Sequence, residues 1–325
     1  MKSRLTACAL LAALVGLIAG QSSAQPPVGT PPGLLDLVFV RTVVVGPVGD
    51  GSDTAANGAA LLAALDSITD NSAVNPYLLR AEPGIYDLGA AFLNMKAFVV
   101  VEGSGVMITL FRRQGGSVAG VVNLRENSGL RHVTVEATGD PAGEFALGIE
   151  AFAGTLGPAR ITDVVAKAAN GTISTEAIRL VGPQTGTETF PHFLAHVWAT
   201  AGVDDDAPNI IAGISLSGAG RVLAEMVDVT AVAASSGVDA AGLRIEAPAA
   251  GSPLRFVTAR NSVFRGDVAV SFITSPGSNA TANFVATQLD DGFSSSGDAS
   301  TFSIKCVGAY DGNFDALDEQ CLPIP

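Results

Sequence analysis

Three phrases, LRHVTVEA from residue 130, ITDVVAKA from 161 and LAHVWATA from 194, align without a gap. They hold two of the chain's three histidines and its only tryptophan. Read as strands, they turn alternate residues to opposite sides, and stacked copies bring equivalent positions to about 4.8 Å. Val133, Val164 and Val197 make one apolar column, and Val135, Ala166 and Ala199 another; both are assigned to a core. The outward columns are then His132, Asp163 and His196; Thr134, Val165 and Trp198; and Glu136, Lys167 and Thr200. His132, Glu136, Asp163, Lys167, His196 and Trp198 would share one exposed patch, an aromatic platform edged by hydrogen-bonding groups. That is the chemistry of a carbohydrate-binding face. The competing reading is a hydrated ladder in which His and Asp pair across copies and a loop covers Trp198. A metal held by His132, Asp163 and His196 is disfavoured, because two histidines two copies apart make a poor chelate at ordinary ligand distances.

The elements that would carry this patch follow from the composition. Lys2 and Arg4, an apolar stretch from Leu5 to Ala19, and Ser22-Ser23-Ala24 read as an export signal cleaved after Ala24. Leu5-Thr6-Ala7-Cys8 resembles a lipidation box but precedes the apolar run, which is the wrong order. No later apolar stretch reaches the roughly 18 residues of a membrane span. The expected location is extracellular or periplasmic. Losing Lys2 and Arg4 leaves 16 Lys and Arg against 31 Asp and Glu, a net charge of −15. That balance argues against nucleic acid as a partner, since phosphate binding needs clustered cations. Cys306 and Cys321 remain after cleavage and can close a short C-terminal loop in an oxidising compartment; two free thiols are the alternative.

The apolar residues come as short Val, Ala, Ile and Leu runs divided by Gly, Pro, Asn and Asp, which is strand punctuation. QPPVGTPPGLLD, within the leader at residues 25–37, has no packing pattern. VFVRTVVV at 38–45 reads as a first strand. Within SDTAANGAALLAALDSI, the residues Leu61, Leu62, Leu65 and Ile68 share one helical face, with Asp53 or Asn57 as N-cap and Gly58 as a weak point. From about residue 95 the phrases repeat. AEMVDVTA at 224, ARNSVFRG at 259 and FVATQLDD at 284 continue the series, at steps of 31, 33, 30, 35 and 25 residues. Companion phrases accompany them: LGIEAF, AIRLVG, AGISLS, GLRIEA and AVSFIT. Two strands per repeat with no helix between them predict the coils of a single-stranded right-handed parallel β-helix, an all-β solenoid with a short N-terminal capping helix. A β-sandwich would explain the short strands, but not the same phrase returning in register. The expected layout is a cap and coil entry at 38–94, coils at 95–300 and a closing segment at 301–325.

Gly49-Asp50-Gly51 with Asp53 and the Ala/Leu helix, then LLRAEPGIYDLG, VVVEGSG and the coils, resemble the pectate-lyase-like superfamily. In that family a short helix covers the open end, and a phrase like L-x-x-x-P-G-x-Y leads into the first coil. The ending IKCVGAYDGNFDALDEQC looks like a closing segment held by a disulfide. Pro83-Gly84 is expected to form a type II turn, and Tyr86 to pack at the capped end rather than act as a phenol. The superfamily includes lyases, hydrolases, epimerases and proteins without known activity, so the fold alone does not set function.

The hydrolase branch carries N-T-D, D-D, G-H-G and R-I-K segments. Asp204-Asp205-Asp206 contains a D-D, but no G-H-G or R-I-K accompanies it, and Leu243-Arg244-Ile245-Glu246 ends in the wrong charge. A solvated turn is the plainer reading of the three aspartates. Calcium would suit oxygen ligands, yet no recognised calcium loop is present, so no cofactor is assigned. The lyase branch pairs an acidic calcium cluster with a basic residue; Arg244, Arg255, Arg260 and Arg265 have no acidic cluster aligned with them. The expected function is an exported structural or carbohydrate-binding module meeting a polysaccharide or cell-surface glycan. The alternative is a polysaccharide lyase or glycoside hydrolase working along the outer face. An enzyme should show paired carboxylates, or a carboxylate with Arg, on neighbouring outward positions of one strip of coils.

Overall fold

The computed structural model describes residues 39–115, 119–139, 145–152, 157–182, 190–203, 210–218, 220–235, 240–247, 254–276, 278–297 and 302–324. The export segment, the leader and the Asp204-Asp205-Asp206 turn lie outside them.

Two sheets alternate along the chain. Strands Gly129–Thr138, Arg160–Ala169, His192–Gly202 and Val222–Ala234 belong to the first sheet. Phe145–Phe152, Ser174–Val181, Ile210–Ser217 and Ala240–Ala247 follow them in turn and belong to the second. Their pairings are parallel throughout. Each circuit of the chain therefore lays one strand on each sheet and advances by one strand spacing. The result is the expected right-handed parallel β-helix, with one helix at its N-terminal end. The register corrects the fourth phrase by two residues: Met226, not Ala224, stacks on Leu194.

The core is built of columns. Leu130, Ile161, Leu194 and Met226 stack as one, Val133, Val164, Val197 and Val229 as the next, and Ile149, Ile178, Ile214 and Leu243 face them from the second sheet. All are buried. Inward positions three residues apart do not fit simple alternation, and the reason is a corner. His132, Asp163, His196, Asp228, Asn261, Ala286 and Gly308 follow one another coil by coil with φ between 47° and 61°. One left-handed residue reverses the alternation, so two consecutive residues face outward before the next apolar one turns in. His, Asp, Asn and Gly tolerate that conformation better than other residues, which explains why polar side chains recur at the column.

The helix α1, Thr54–Asp66, is capped by Asp53, whose Oδ1 accepts from the Ala56 N–H at 2.9 Å. Asn57 is not the cap. It is fully buried, accepts from the Val48 N–H at 2.7 Å and donates to the Ile85 carbonyl at 3.0 Å, clamping the preceding loop and the strand Gly84–Asp87 onto the helix. Leu61, Leu65 and Ile68 are buried as expected, while Leu62 is half-buried. Gly84 opens its strand at φ 156°, so Pro83-Gly84 does not supply the left-handed glycine of a type II turn. Tyr86 is fully buried, donates to the Glu82 carbonyl at 3.0 Å and has its pKa pushed up to about 12, chiefly by burial. At the other end Cys306 and Cys321 form a disulfide.

Gly58 is a contact point rather than a weakness. A Cβ there would lie 1.9 Å from the Asp87 carbonyl oxygen. At an unconstrained helix position Gly→Ala stabilises by about 1 kcal/mol. Gly58→Ala is instead expected to destabilise by about 1–3 kcal/mol through overpacking, read as a lower denaturation midpoint. A higher midpoint would refute this packing.

Candidate functional site

The predicted patch is assembled in part. His196 Nδ1 lies 3.2 Å from Asp163 Oδ1, His196 Nε2 lies 3.3 Å from Asp228 Oδ2, and His132 Nδ1 lies 3.7 Å from Asp163 Oδ2. His and Asp thus alternate up four coils of the corner column. Lys167 Nζ pairs with Glu136 Oε1 at 2.8 Å. Trp198 is 54% exposed. Thr134 departs from the expectation: it is buried because the Met107 N–H donates to its hydroxyl at 2.9 Å, bringing that segment over it. Among the described residues no three His, Cys, Asp or Glu side chains are grouped to hold a metal ion.

A second constellation lies on the outer face of the second sheet, of which the sequence reading had singled out only Arg244. Asn94, Asn123, Glu150, Arg179, Ser215, Arg244, Ser271 and Ser294 are register partners on successive coils. They form an unbroken polar stripe along the solenoid axis, roughly 34 Å long at the spacing of paired strands. Glu150 and Arg179 sit on neighbouring coils, Oε1 to Nη1 at 3.7 Å. This is the carboxylate-with-arginine pair on one strip named above as the mark of an enzyme.

Glu176 joins them from beside the stripe, where the parallel register skips Ala177. The column there is small, Gly148, Ala177, Gly213 and Gly242, and a Cβ on Gly148 would lie 2.5 Å from the Ala177 carbonyl oxygen. Residues 176 and 179 consequently meet on the outer face although they are three apart. Arg179 Nε donates to Glu176 Oε2 at 3.1 Å and its Nη2 to Oε1, while the Ser174 and Ser215 hydroxyls also donate to this carboxylate. Arg244 is engaged within its own strand, donating to Glu246 Oε1 at 2.7 Å. Asn123, the register partner of Glu150, has its Oδ1 buried without a hydrogen-bond partner among the described residues.

The two carboxyl groups are driven apart. Burial lifts Glu150 to about 7, against Arg179, whose charge pulls the other way. Burial would also raise Glu176, but its bonds to Arg179, Ser174 and Ser215 outweigh that and hold it below its usual range. At neutral pH one group exchanges protons and the other stays ionised. Separations of this kind mark acid–base assignments in enzymes.

The fold has solved counterparts. The chain is similar to pectin methylesterase PemA from Erwinia chrysanthemi, with a TM-score of 0.55 and 10% identity over 89% of this chain and 94% of that one. It is similar also to the pectin methylesterase from Yersinia enterocolitica, at 0.54 and 12% identity over 81% and 93%. At such identities the likeness is one of fold, the right-handed parallel β-helix. No protein-family model matches the chain, and no curated protein sequence does. Among the described residues no helix is long and apolar enough to cross a membrane.

Because the folded pKa of Glu150 is raised from 4.5 to about 7, its protonated form stabilises the fold at low pH. That contribution is complete below the unfolded value and is lost as pH rises through about 7. Glu150→Gln keeps the shape without the ionisation. The variant is expected to gain on the parent by on the order of 3 kcal/mol between pH 4.5 and 8, seen by comparing unfolding midpoints at the two pH values. An equal midpoint difference at both would contradict the raised pKa.

Proposed function

We propose that this chain is an exported enzyme of polysaccharides, in which the polar stripe of the second sheet receives the glycan and Glu150 transfers the proton. The observation that carries this reading is the Glu150–Arg179–Glu176 arrangement in the middle of a continuous polar strip. Glu150, near neutrality in its pKa, suits general acid–base work. Arg179 holds a fixed positive charge beside it, able to stabilise negative charge developing on a substrate oxygen. Glu176 is a positioning residue: fully buried, it reaches no substrate and fixes the guanidinium. A fold shared with two pectin methylesterases supports a glycan as the substrate class.

The near-closure of the cluster favours a second reading, a structural or binding module without chemistry. The Arg179 and Glu150 side chains are only 16% and 9% exposed. A carbohydrate-binding role for the Trp198 patch is compatible with both readings.

The test is an assay for new reducing ends, unsaturated products and released methanol on polygalacturonate, methyl-esterified pectin, alginate and xylan. Product is expected on at least one, reduced at least about 100-fold by Glu150→Gln. With Glu150 as the acid, activity should fall as pH rises past about 7. Absence of product on all four, or a Glu150→Gln variant as active as the parent, would overturn the enzyme reading in favour of the module.

A further inference from the structure

The ridge on the first sheet is remote in sequence register from the polar stripe, and the proposed chemistry makes no use of it. We propose that this ridge is a second, non-catalytic binding site for a neutral polysaccharide, with Trp198 as its platform. Trp198 projects from a strand paired on both sides, not from a loop, with Val165 and Thr230 as its register partners. An indole fixed in this way loses little freedom when it is covered. Leaving such a side chain 54% exposed forgoes the burial that large aromatics usually find.

The surroundings select the ligand. His196, between Asp163 and Asp228, and the pair Glu136–Lys167 flank the ring with hydrogen-bonding groups, as a hydroxyl-rich chain requires, while the indole takes the apolar face of a sugar. Coils repeat at about 4.8 Å, close to the length of one sugar in an extended chain, so successive coils meet successive sugars. The lysine is already matched, since Lys167 faces Glu136, and His196 lies between two carboxylates. A polyanionic glycan would find no uncompensated positive charge here, on a chain of net charge −13. A second protein copy is a poorer fit, since the centre of a stable interface is depleted in charge and this ridge is framed by carboxylates.

Because the chain has one tryptophan, its fluorescence reports this ridge alone. The full chain is titrated with hydroxyethylcellulose and glucomannan as neutral probes and with polygalacturonate as the anionic one. A saturable change is expected with at least one neutral probe and none with polygalacturonate. In affinity electrophoresis against the same neutral probe, Trp198→Ala is expected to bind about 30-fold more weakly, and Trp198→Phe to recover part of the loss. Glu150→Gln should leave the titration unchanged, which separates this site from the stripe. The proposal is overturned by a Trp198→Ala variant that binds like the parent, by a titration that vanishes in Glu150→Gln, or by a response to polygalacturonate alone. A fluorescence change that tracks protein concentration without glycan would assign the ridge to self-association instead.

Discussion

Parallel pairing between successive coils leaves each residue bonded to the same position one circuit along, at about 4.8 Å. Everything else in the structure inherits that spacing. An apolar residue at one position becomes an apolar column, and a left-handed residue becomes a corner running the length of the solenoid. A charged residue on one coil finds its partner directly above or below it. The His–Asp alternation at 132, 163, 196 and 228 is a product of this rule, and so is the contact of Glu150 with Arg179.

The rule also explains which features the sequence made legible. The phrases around His132, Asp163 and His196 are similar enough to align by eye, and the core columns follow from them. Their outward residues were recovered except Thr134, whose burial depends on Met107, a residue of an earlier coil that no alternation pattern connects to it. The second-sheet cluster was missed for a different reason. Glu176 and Arg179 are three apart, which in a regular strand puts them on opposite faces. They meet where the parallel register skips Ala177 between them. A signal was present: Gly148-Ile149-Glu150 in LGIEAF and Ala177-Ile178-Arg179 in AIRLVG align, with a small residue just before the inward Ile in both. The repeated small residue marked the corner, but its geometric effect is not written in residue type.

The two outer faces hold their charge differently. At the first-sheet corner the His–Asp contacts sit in solvent, with both side chains about half exposed, where polar pairs contribute little to stability. On the second sheet Glu176 is enclosed, and removing one partner would strand a charge away from water. That cluster was costly to assemble, and the cost is repaid only by keeping its geometry fixed. The ladder can change its pairing with little effect on the fold, while the cluster cannot. A rigid, desolvated set suits chemistry, and a hydrated set around an exposed ring suits reversible contact.

The two ends of the solenoid have a consequence of their own. In a linear stack each coil is held only by its neighbours, so unravelling resembles the opening of a zip and begins where one side has no neighbour. The helix Thr54–Asp66 guards one terminus through buried Asn57 and Leu61. The covalent link between Cys306 and Cys321 guards the other. The lifetime of the folded chain is then set by whichever guard yields first, and a reducing environment would select the C-terminal end as the place where it starts.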